Sequence, residues 1–557
     1  MDNGVVAVIA TEIAVHQELP KYGGGMGFLI GDEARSAKKL GIDAAFFVPF
    51  WRHGYYTQLI ENRQMKAGYE ARDYSGVLEK TDIRFAIPIN SSQCWIEVWK
   101  LPEERCNTSP VYFLNADVEG NDYLTRLNNH ALYAEGNNPE RRIAVSQILG
   151  VGAFEAIKHL GITVKKFHLQ ESHSAFTAVE LFLNNYRANE DDFEAALADT
   201  RSKVVFTTHT PVAAGNPVYD MNTVIKLCGY SARVDRSVIE KIGQDPKHPH
   251  LFNMAAACLY LSGKTNAVSR EHCEVATKMW SGMDMASPIF PITNGVSQDF
   301  WQPVEYRQAR TPQQLEKAKL GDIRSGIEYV AKHTEYRGGV HFSENVPTLV
   351  LARRVAEYKR HKLLFRNIEW LSGLLKTNKL QIVVAGKPHP DDGRMISAFN
   401  EILSISYELP NLVVLAGYEI EMSYFLKGLA RIWLNIPRSP FEASGTSGMS
   451  AALRGAIHMS TPVGWAREMN PENCFIFGAA WPTDSDIDLE SDRAKQFREW
   501  QDAYDAQELQ KILPAALQLF EDRDAWNRKA LAGMREVEKE FTSDRVMLET
   551  AEKLYAN

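Results

Sequence analysis

Short apolar runs recur along the chain at spacings that leave room for an amphipathic helix between neighbours. In the first half they occupy residues 5–10, 44–48, 111–114, 204–208 and 265–269, and in the second residues 348–352, 380–385, 412–415 and 432–435. Apolar runs of this length, without polar alternation, predict parallel strands buried on both faces. Strands that alternate with helices in turn predict doubly wound α/β sheets. Across residues 294–347 the pattern turns polar and helical, punctuated by Thr311-Pro312 and Gly338-Gly339, and the boundary between two large lobes is placed there. Residues 509–557 are charged and helical. No internal repeat or low-complexity segment interrupts this plan.

Length supports the same division, because 557 residues exceed one ordinary core. A formal net charge of -8 argues against a general affinity for nucleic acid, so an anionic substrate must be met by a local cluster of cations. The six cysteines (Cys94, Cys106, Cys228, Cys258, Cys273 and Cys474) are scattered without a Cys-x-x-Cys pair. That pattern points to reduced, mostly buried thiols rather than a zinc ribbon or a disulfide scaffold. Met1-Asp2-Asn3-Gly4 has no basic leader character, and no apolar stretch approaches membrane-spanning length, so a cytoplasmic location without a membrane partner is expected.

Three segments carry candidate chemistry. Tyr22-Gly23-Gly24-Gly25-Met26-Gly27 follows the first strand and opens a helix that ends near Leu40. Glycines at such a turn let backbone N–H groups reach an anion at the positive end of the helix, although glycine-rich turns also serve purely structural ends. Ala352-Arg353-Arg354-Val355-Ala356-Glu357-Tyr358-Lys359-Arg360 crowds cations at the end of an apolar strand. A solvated basic face is the ordinary meaning of such a run. At the carboxyl edge of an α/β sheet, where ligands bind, the same charges suit two neighbouring phosphates, whose repulsion Arg forks and Lys charges relieve. Glu442-Ala443-Ser444-Gly445-Thr446-Ser447-Gly448-Met449-Ser450 is a glycine-rich loop opening a helix, and Gly445, Thr446 and Ser447 present N–H groups and a hydroxyl suited to a phosphate.

This last segment closely resembles the signature of the α-glucan (glycogen, starch, maltodextrin) phosphorylases, in which its final position is the lysine that holds pyridoxal phosphate covalently. In this chain that position is Ser450, and a hydroxyl lacks the amine nitrogen that the linkage needs. The resemblance runs from about Val5 to the end of the chain, in the manner of short members of the family. It implies a GT-B fold: α/β, with two Rossmann-like doubly wound lobes and an active-site cleft between them. An N-terminal lobe with the glycine-rich loop and the acceptor side is expected at 1–300, and a C-terminal lobe with the phosphate and donor side at 301–525. A helix at 526–557 is expected to pack back on the N-terminal lobe.

By resemblance, Arg354 and Lys359 match the family's ligands of the substrate phosphate, and Arg353 stands where a lysine commonly touches the cofactor phosphate. Gly445, Thr446 and Ser447 match positions that hold the phosphate of pyridoxal phosphate, while Glu442, Ser444 and Gly445 match positions that bind sugar hydroxyls. His209, in Phe206-Thr207-Thr208-His209-Thr210-Pro211, matches the active-site histidine near the sugar 6-hydroxyl. Asn294, in Thr293-Asn294-Gly295-Val296, matches an asparagine on the same hydroxyl, and Asn266, Ser269, His272 and Trp280 fit the stretch before it. Glu171 and His173, in His168-Leu169-Gln170-Glu171-Ser172-His173, are expected to line the cleft. Gly24 and Gly25 belong to the glycine loop, and Tyr418 and Glu419 lie where the pyridoxal ring sits in the family.

A nucleoside-diphosphate sugar brings two linked phosphates to the place where a phosphorylase assembles a cofactor phosphate and a substrate phosphate. The expected function is therefore retaining hexosyl transfer, with glucose the favoured sugar, from a nucleotide-diphosphate sugar to a hydroxyl acceptor without pyridoxal phosphate. Arg354 and Lys359 would stabilise the departing diphosphate, Glu442 and Asn294 would orient the sugar, and His209 would support the developing positive charge or the 6-hydroxyl. No enzymic nucleophile is assigned, and a base is sought near Tyr418 and Glu419. Two other readings stand beside this one: an α-glucan phosphorylase with untethered pyridoxal phosphate, and a non-catalytic glucan-binding homologue. Gly263-Lys264-Thr265 is no P-loop, since Cys258 stands where its first glycine belongs. His248-Pro249-His250 and the pair His168 and His173 lack the carboxylates of a catalytic metal site, so no metal is expected. The nucleobase, the sugar epimer, the acceptor and a homodimeric state stay open.

Overall fold

The computed structural model describes residues 4–90, 92–212, 215–334, 339–481 and 491–556. Of the positions singled out above, Met1, Asp2, Asn3, Gly338 and Asn557 lie outside these residues. The chain divides into two compact units: Met1–Tyr56 with Tyr69–Thr293 and Asp544–Asn557, and Thr57–Gly68 with Asn294–Ser543.

The first unit is built on a nine-stranded sheet. Val5–Ile9 lies at its centre, parallel to Ala44–Pro49 on one side and to Val164–Gln170 on the other. Beyond Val164–Gln170 come Val204–Thr208, Lys264–Ala267 and Ile289–Pro291, all parallel. Beyond Ala44–Pro49 come the parallel Val111–Asn115 and then the antiparallel Ser92–Leu101 and Glu79–Ile89. Alternate residues of the central strand enter two separate apolar clusters. Val6 and Val8 pack with Ile30, Ala34 and Ala37 of helix Gly25–Leu40, and Ala7 and Ile9 pack with Leu149 and Ala153 of helix Pro139–His159. A strand covered on both faces favours apolar residues at successive positions, which is why residues 5–10 are legible as a strand.

Val164–Gln170 is equally central, yet its polar residues hide it. Lys166 sends its ammonium to the Ser202 carbonyl at 2.7 Å, and His168 bonds Tyr555 Oη through Nδ1 and Thr207 Oγ1 through Nε2, both at 2.7 Å. Each polar group is satisfied inside the fold, so burial does not demand an apolar side chain there.

The second unit carries six parallel strands, in the order Leu412–Leu415, Gln381–Ala385, Thr348–Ala352, Ile432–Asn435, Ile457–Ser460 and Phe475–Ile476. The expected bounds 1–300 and 301–525 need correction at three places. The antiparallel hairpin Thr57–Glu61 and Gln64–Gly68 belongs to the second unit, where Met65 N donates to Asn400 Oδ1 at 2.8 Å. The chain enters that unit at Asn294. Helix Arg523–Glu540 stays in it, tied by Glu536, which accepts from Asn470 N and Asn473 Nδ2 at 2.7 and 2.8 Å. Only from Asp544, which accepts from Ser36 Oγ at 2.6 Å, does the chain return to the first unit, burying Val546 and Leu554 in the Val6 and Val8 cluster.

The Thr311-Pro312 punctuation marks a helix start. Thr311 caps helix Pro312–Lys332 in a capping box, accepting from Gln314 N at 3.3 Å while Gln314 Oε1 accepts from Thr311 N at 3.2 Å. Among the described residues, no helix is long and apolar enough to cross a membrane.

Candidate functional site

In the second unit the predicted charges gather at the carboxyl ends of the strands, beside the switch point between Thr348–Ala352 and Ile432–Asn435. Arg353 follows the first of these strands, and Glu442 lies on the loop after the second. Arg353 Nη2 donates to Glu442 Oε2 at 2.6 Å, while Lys359 Nζ donates to Oε1 and Oε2 at 3.0 and 2.8 Å. All three side chains are buried. Burial alone would raise the Glu442 carboxyl, but Arg353 and Lys359, with Arg354 adding its charge, hold it at about 2. Arg354 itself is exposed.

Among the described residues, Arg353 Nε and Nη1 are buried without a hydrogen-bond partner, and so is the Ser444 hydroxyl. Buried guanidinium nitrogens left unpaired are costly, and an anionic ligand is the usual remedy. Gly445 borders them, since a Cβ there would lie 3.5 Å from Arg353 Nη2 and 3.5 Å from Glu442 Oε1. Asn294 Nδ2 donates to the Ser444 carbonyl at 3.2 Å, which ties a second predicted residue to the same loop. His361 and His458 were missed by sequence reasoning. Burial first, then the Arg353 charge, lowers both to about 3, so neutral imidazoles flank the guanidinium. His361 follows the cation run directly, which is the signal that would have found it.

The short helix Ser447–Ala452 holds Ser450 at 1% exposure, its hydroxyl donating to the Thr446 and Ser447 carbonyls at 3.2 and 3.1 Å. Ser447 Oγ accepts from Trp433 Nε1 at 3.2 Å. The unpaired Arg353 nitrogens and Ser444 hydroxyl fit the phosphate end of pyridoxal phosphate. Position 450 offers no amine, so the residues present do not fit a covalently held cofactor.

Tyr418 and Glu419 make poor bases as placed. Tyr418 Oη lies 3.0 Å from Ser423 Oγ, and burial pushes its phenol up to about 12. Glu419 Oε1 accepts from Lys387 Nζ at 2.8 Å. A phenol that keeps its proton offers no basic oxygen, and the Glu419 carboxylate is already occupied by the Lys387 ammonium. Lys387 went unnoticed in the sequence, although it follows the strand Gln381–Ala385 through Gly386, whose backbone passes so close to the Arg353 carbonyl that a side chain would not fit.

The first unit assembles a second cluster at the ends of two adjacent strands, Val164–Gln170 and Val204–Thr208. Glu171 adopts φ 68 and ψ 160, a conformation that favours glycine. Its carboxylate pins the strained turn: Oε1 accepts from Ser172 N at 2.8 Å, and Oε2 accepts from His209 N at 3.0 Å and Thr210 Oγ1 at 2.8 Å. Burial works against the charge, yet His209 and these donors outweigh it and keep the carboxyl below the usual range. Burial lowers His209 despite the Glu171 charge, and its Nε2 lies 2.8 Å from Gln170 Oε1. His173, on the turn Ser172–Ser174, is lowered by burial as well, and among the described residues its Nδ1 is buried without a partner. Glu171 and His209 are thus brought together, with His173 beside them on the same turn.

The glycine loop differs from its expected use. Gly23 N donates to Glu12 Oε2, and Gly24 N donates to the same oxygen at 3.1 Å. An internal carboxylate therefore takes the amides predicted to meet a ligand anion, and Gly24 serves as N-cap of the helix. Beyond Gly25 there is open space where a Cβ would stand. Among the described residues, no group of three or more His, Cys, Asp or Glu side chains is arranged to hold a metal ion.

Comparison with known proteins gives relatives over the full chain. No family model matches it. The Methanocaldococcus jannaschii protein MJ1631, described as uncharacterized, is 35% identical over 558 residues, 99% of each chain. Maltodextrin phosphorylase of Thermococcus litoralis is 26% identical over 99% of this chain and 70% of its own. Glycogen phosphorylase of Mycobacterium tuberculosis is 30% identical over 83% of this chain, which spans 60% of that enzyme. The α/β architecture, the cation cluster on Glu442 and these relatives agree: the chain belongs with MJ1631 in a family of homologues of the glycogen and maltodextrin phosphorylases.

Proposed function

We propose that the chain is a retaining hexosyltransferase whose donor is a nucleoside-diphosphate sugar, working without covalently held pyridoxal phosphate. One observation carries this reading: a buried guanidinium with two unpaired nitrogens adjoins Lys359 and Glu442, while residue 450 has no amine. On this reading, Arg353 and Lys359 meet the charge that develops on the departing diphosphate, with Arg354 at the exposed side. The diphosphate takes Glu442's place on the two cations, and the carboxylate is released to accept from sugar hydroxyls. Asn294, Ser444 and Gly445 border the sugar, and Glu171, His173 and His209 keep the sugar-side roles that the resemblance gives them. The acceptor oxygen bonds to the anomeric carbon on the face that the diphosphate leaves. The carbon–oxygen bond to the diphosphate breaks, and a diphosphate oxygen takes the acceptor proton. No side chain is required as nucleophile.

A second reading has its own support. Two of the three relatives named above are phosphorylases, which favours glucan phosphorolysis to glucose 1-phosphate with pyridoxal phosphate held only by its phosphate. A thermal-shift screen of UDP-, ADP-, GDP- and TDP-sugars beside pyridoxal phosphate, followed by turnover assays, separates the two, because a ligand of the folded state raises apparent stability by mass action. Stabilisation by a nucleotide sugar, with nucleoside diphosphate released to an acceptor, is the expected result. Stabilisation by pyridoxal phosphate alone, with phosphate-dependent release of glucose 1-phosphate, would replace it with the second reading. Silence in both arms would leave a glucan-binding homologue.

A further inference from the structure

A buried amide connects helix Gly25–Leu40 to His209. Gln170, fully buried at the end of the strand Val164–Gln170, donates through Nε2 to Glu33 Oε2 at 3.0 Å, and its Oε1 lies 2.8 Å from His209 Nε2. An amide oxygen accepts and does not donate, so the proton on this contact belongs to His209 Nε2. A neutral imidazole protonated on one nitrogen is an acceptor on the other. Among the described residues, His209 Nδ1 has no hydrogen-bond partner.

We infer that Glu33 and Gln170 are positioning residues for His209, fixing its Nε2–H tautomer so that Nδ1 is presented as an acceptor to a hydroxyl of the bound sugar. The sugar contact rests on the function proposed above, whereas the tautomer does not. Burial, then the neighbouring Asp32, pushes Glu33 up to about 8, so the acid is uncharged near neutrality and still accepts from the amide through its carbonyl oxygen. Glu171 fixes the backbone of His209, and Gln170 fixes its ring. An acceptor nitrogen selects a sugar that presents a donor to it, a hydroxyl or an ammonium, over the deoxy sugar that lacks one.

Magic-angle-spinning NMR on the full chain labelled with ring 15N-histidine tests the tautomer, with the His209 signals assigned by their loss in His209→Asn. The wild-type protein is expected to show a protonated Nε2 and a bare Nδ1 at residue 209. Gln170→Leu and Glu33→Leu should mix or reverse these signals, and Glu33→Gln, which keeps a carbonyl acceptor, should restore the wild-type pattern. A protonated Nδ1 in the wild type would mean that the amide is turned round and would overturn the inference, as would an unchanged tautomer in a folded Gln170→Leu variant. If the tautomer is as expected but no deoxy sugar is discriminated against, the sugar-side reading of His209 fails while the positioning stands.

Discussion

Lys359 reaches both carboxylate oxygens of Glu442, at 3.0 and 2.8 Å, from the opposite side of a sequence gap that includes three further strands of the same sheet. With Arg353 on the same carboxylate, one negative charge is set against two positive ones in a buried place. Glu442→Gln removes that charge and leaves the cations facing one another. Because the folded carboxyl is depressed to about 2 from an ordinary 4.5, its contribution of about 3 kcal/mol is fully present above pH 4.5 and is lost as pH falls toward 2. Urea unfolding across that window should show a shallower acid limb for the variant. Calorimetry should show tighter binding of inorganic pyrophosphate, since no internal carboxylate competes for Arg353 and Lys359. Parallel acid limbs with unchanged pyrophosphate affinity would contradict both expectations.

Glu171 combines a strained backbone with three hydrogen bonds to its carboxylate. Glu171→Gln turns one end of the group into a donor facing donors, which should cost about 1–3 kcal/mol in stability. Glu171→Gly relieves the φ 68 conformation, returning about 1–3 kcal/mol, but leaves the His209 amide unheld. Both variants are expected to lose at least about tenfold in kcat/KM, equal to about 1.4 kcal/mol of transition-state binding. A stable Glu171→Gly variant with full turnover would show that the carboxylate serves only the turn.

Much of this architecture is legible in the sequence, and the exceptions share a cause. The apolar runs around Val8, Val350 and Val383 mark strands because both faces of each are covered and apolar side chains fill most of their positions. The strand Val164–Gln170 escapes notice because Lys166, His168 and Gln170 find specific partners inside. The cations of residues 353–360 and the loop from Glu442 are visible as dense local motifs. Their meeting on one carboxylate is not, because it depends on two strands being neighbours in the sheet. Glu12 shows the reverse case: a glycine loop reads as an anion site from composition, and a carboxylate from eleven positions earlier, at Gly23, answers it internally.

Ser450 is expected to be dispensable. Its hydroxyl donates only to carbonyls of its own turn, at 3.2 and 3.1 Å, a local arrangement that contributes little to a helix. Ser450→Ala should therefore change stability by less than about 1 kcal/mol and leave kcat/KM within about a factor of 3. Thermal unfolding and steady-state transfer assays measure the two quantities. A loss of about a hundredfold in turnover with normal stability would place the hydroxyl in the chemistry.

Glu33 predicts an unusual slope of stability with pH. Its carboxyl rises from 4.5 to about 8, with burial the larger cause and Asp32 the smaller, and Tyr555 and Gln170 are the other polar groups that face it. Between these two values the unfolded chain has released the proton and the folded chain retains it. Stability from this group is therefore complete below about pH 4.5 and declines as pH rises to about 8, by about 1.4 kcal/mol per pH unit. Tyr555 stays protonated throughout, because burial raises its phenol, and so adds no opposing slope. Glu33→Gln carries no titrating proton and should remove the decline, so that its advantage over the wild type grows from about pH 5 to about pH 8 in urea unfolding. Equal slopes in the two proteins would mean that Glu33 releases its proton in the fold as readily as in the unfolded chain, and that the acid is not sealed from water as the structure has it.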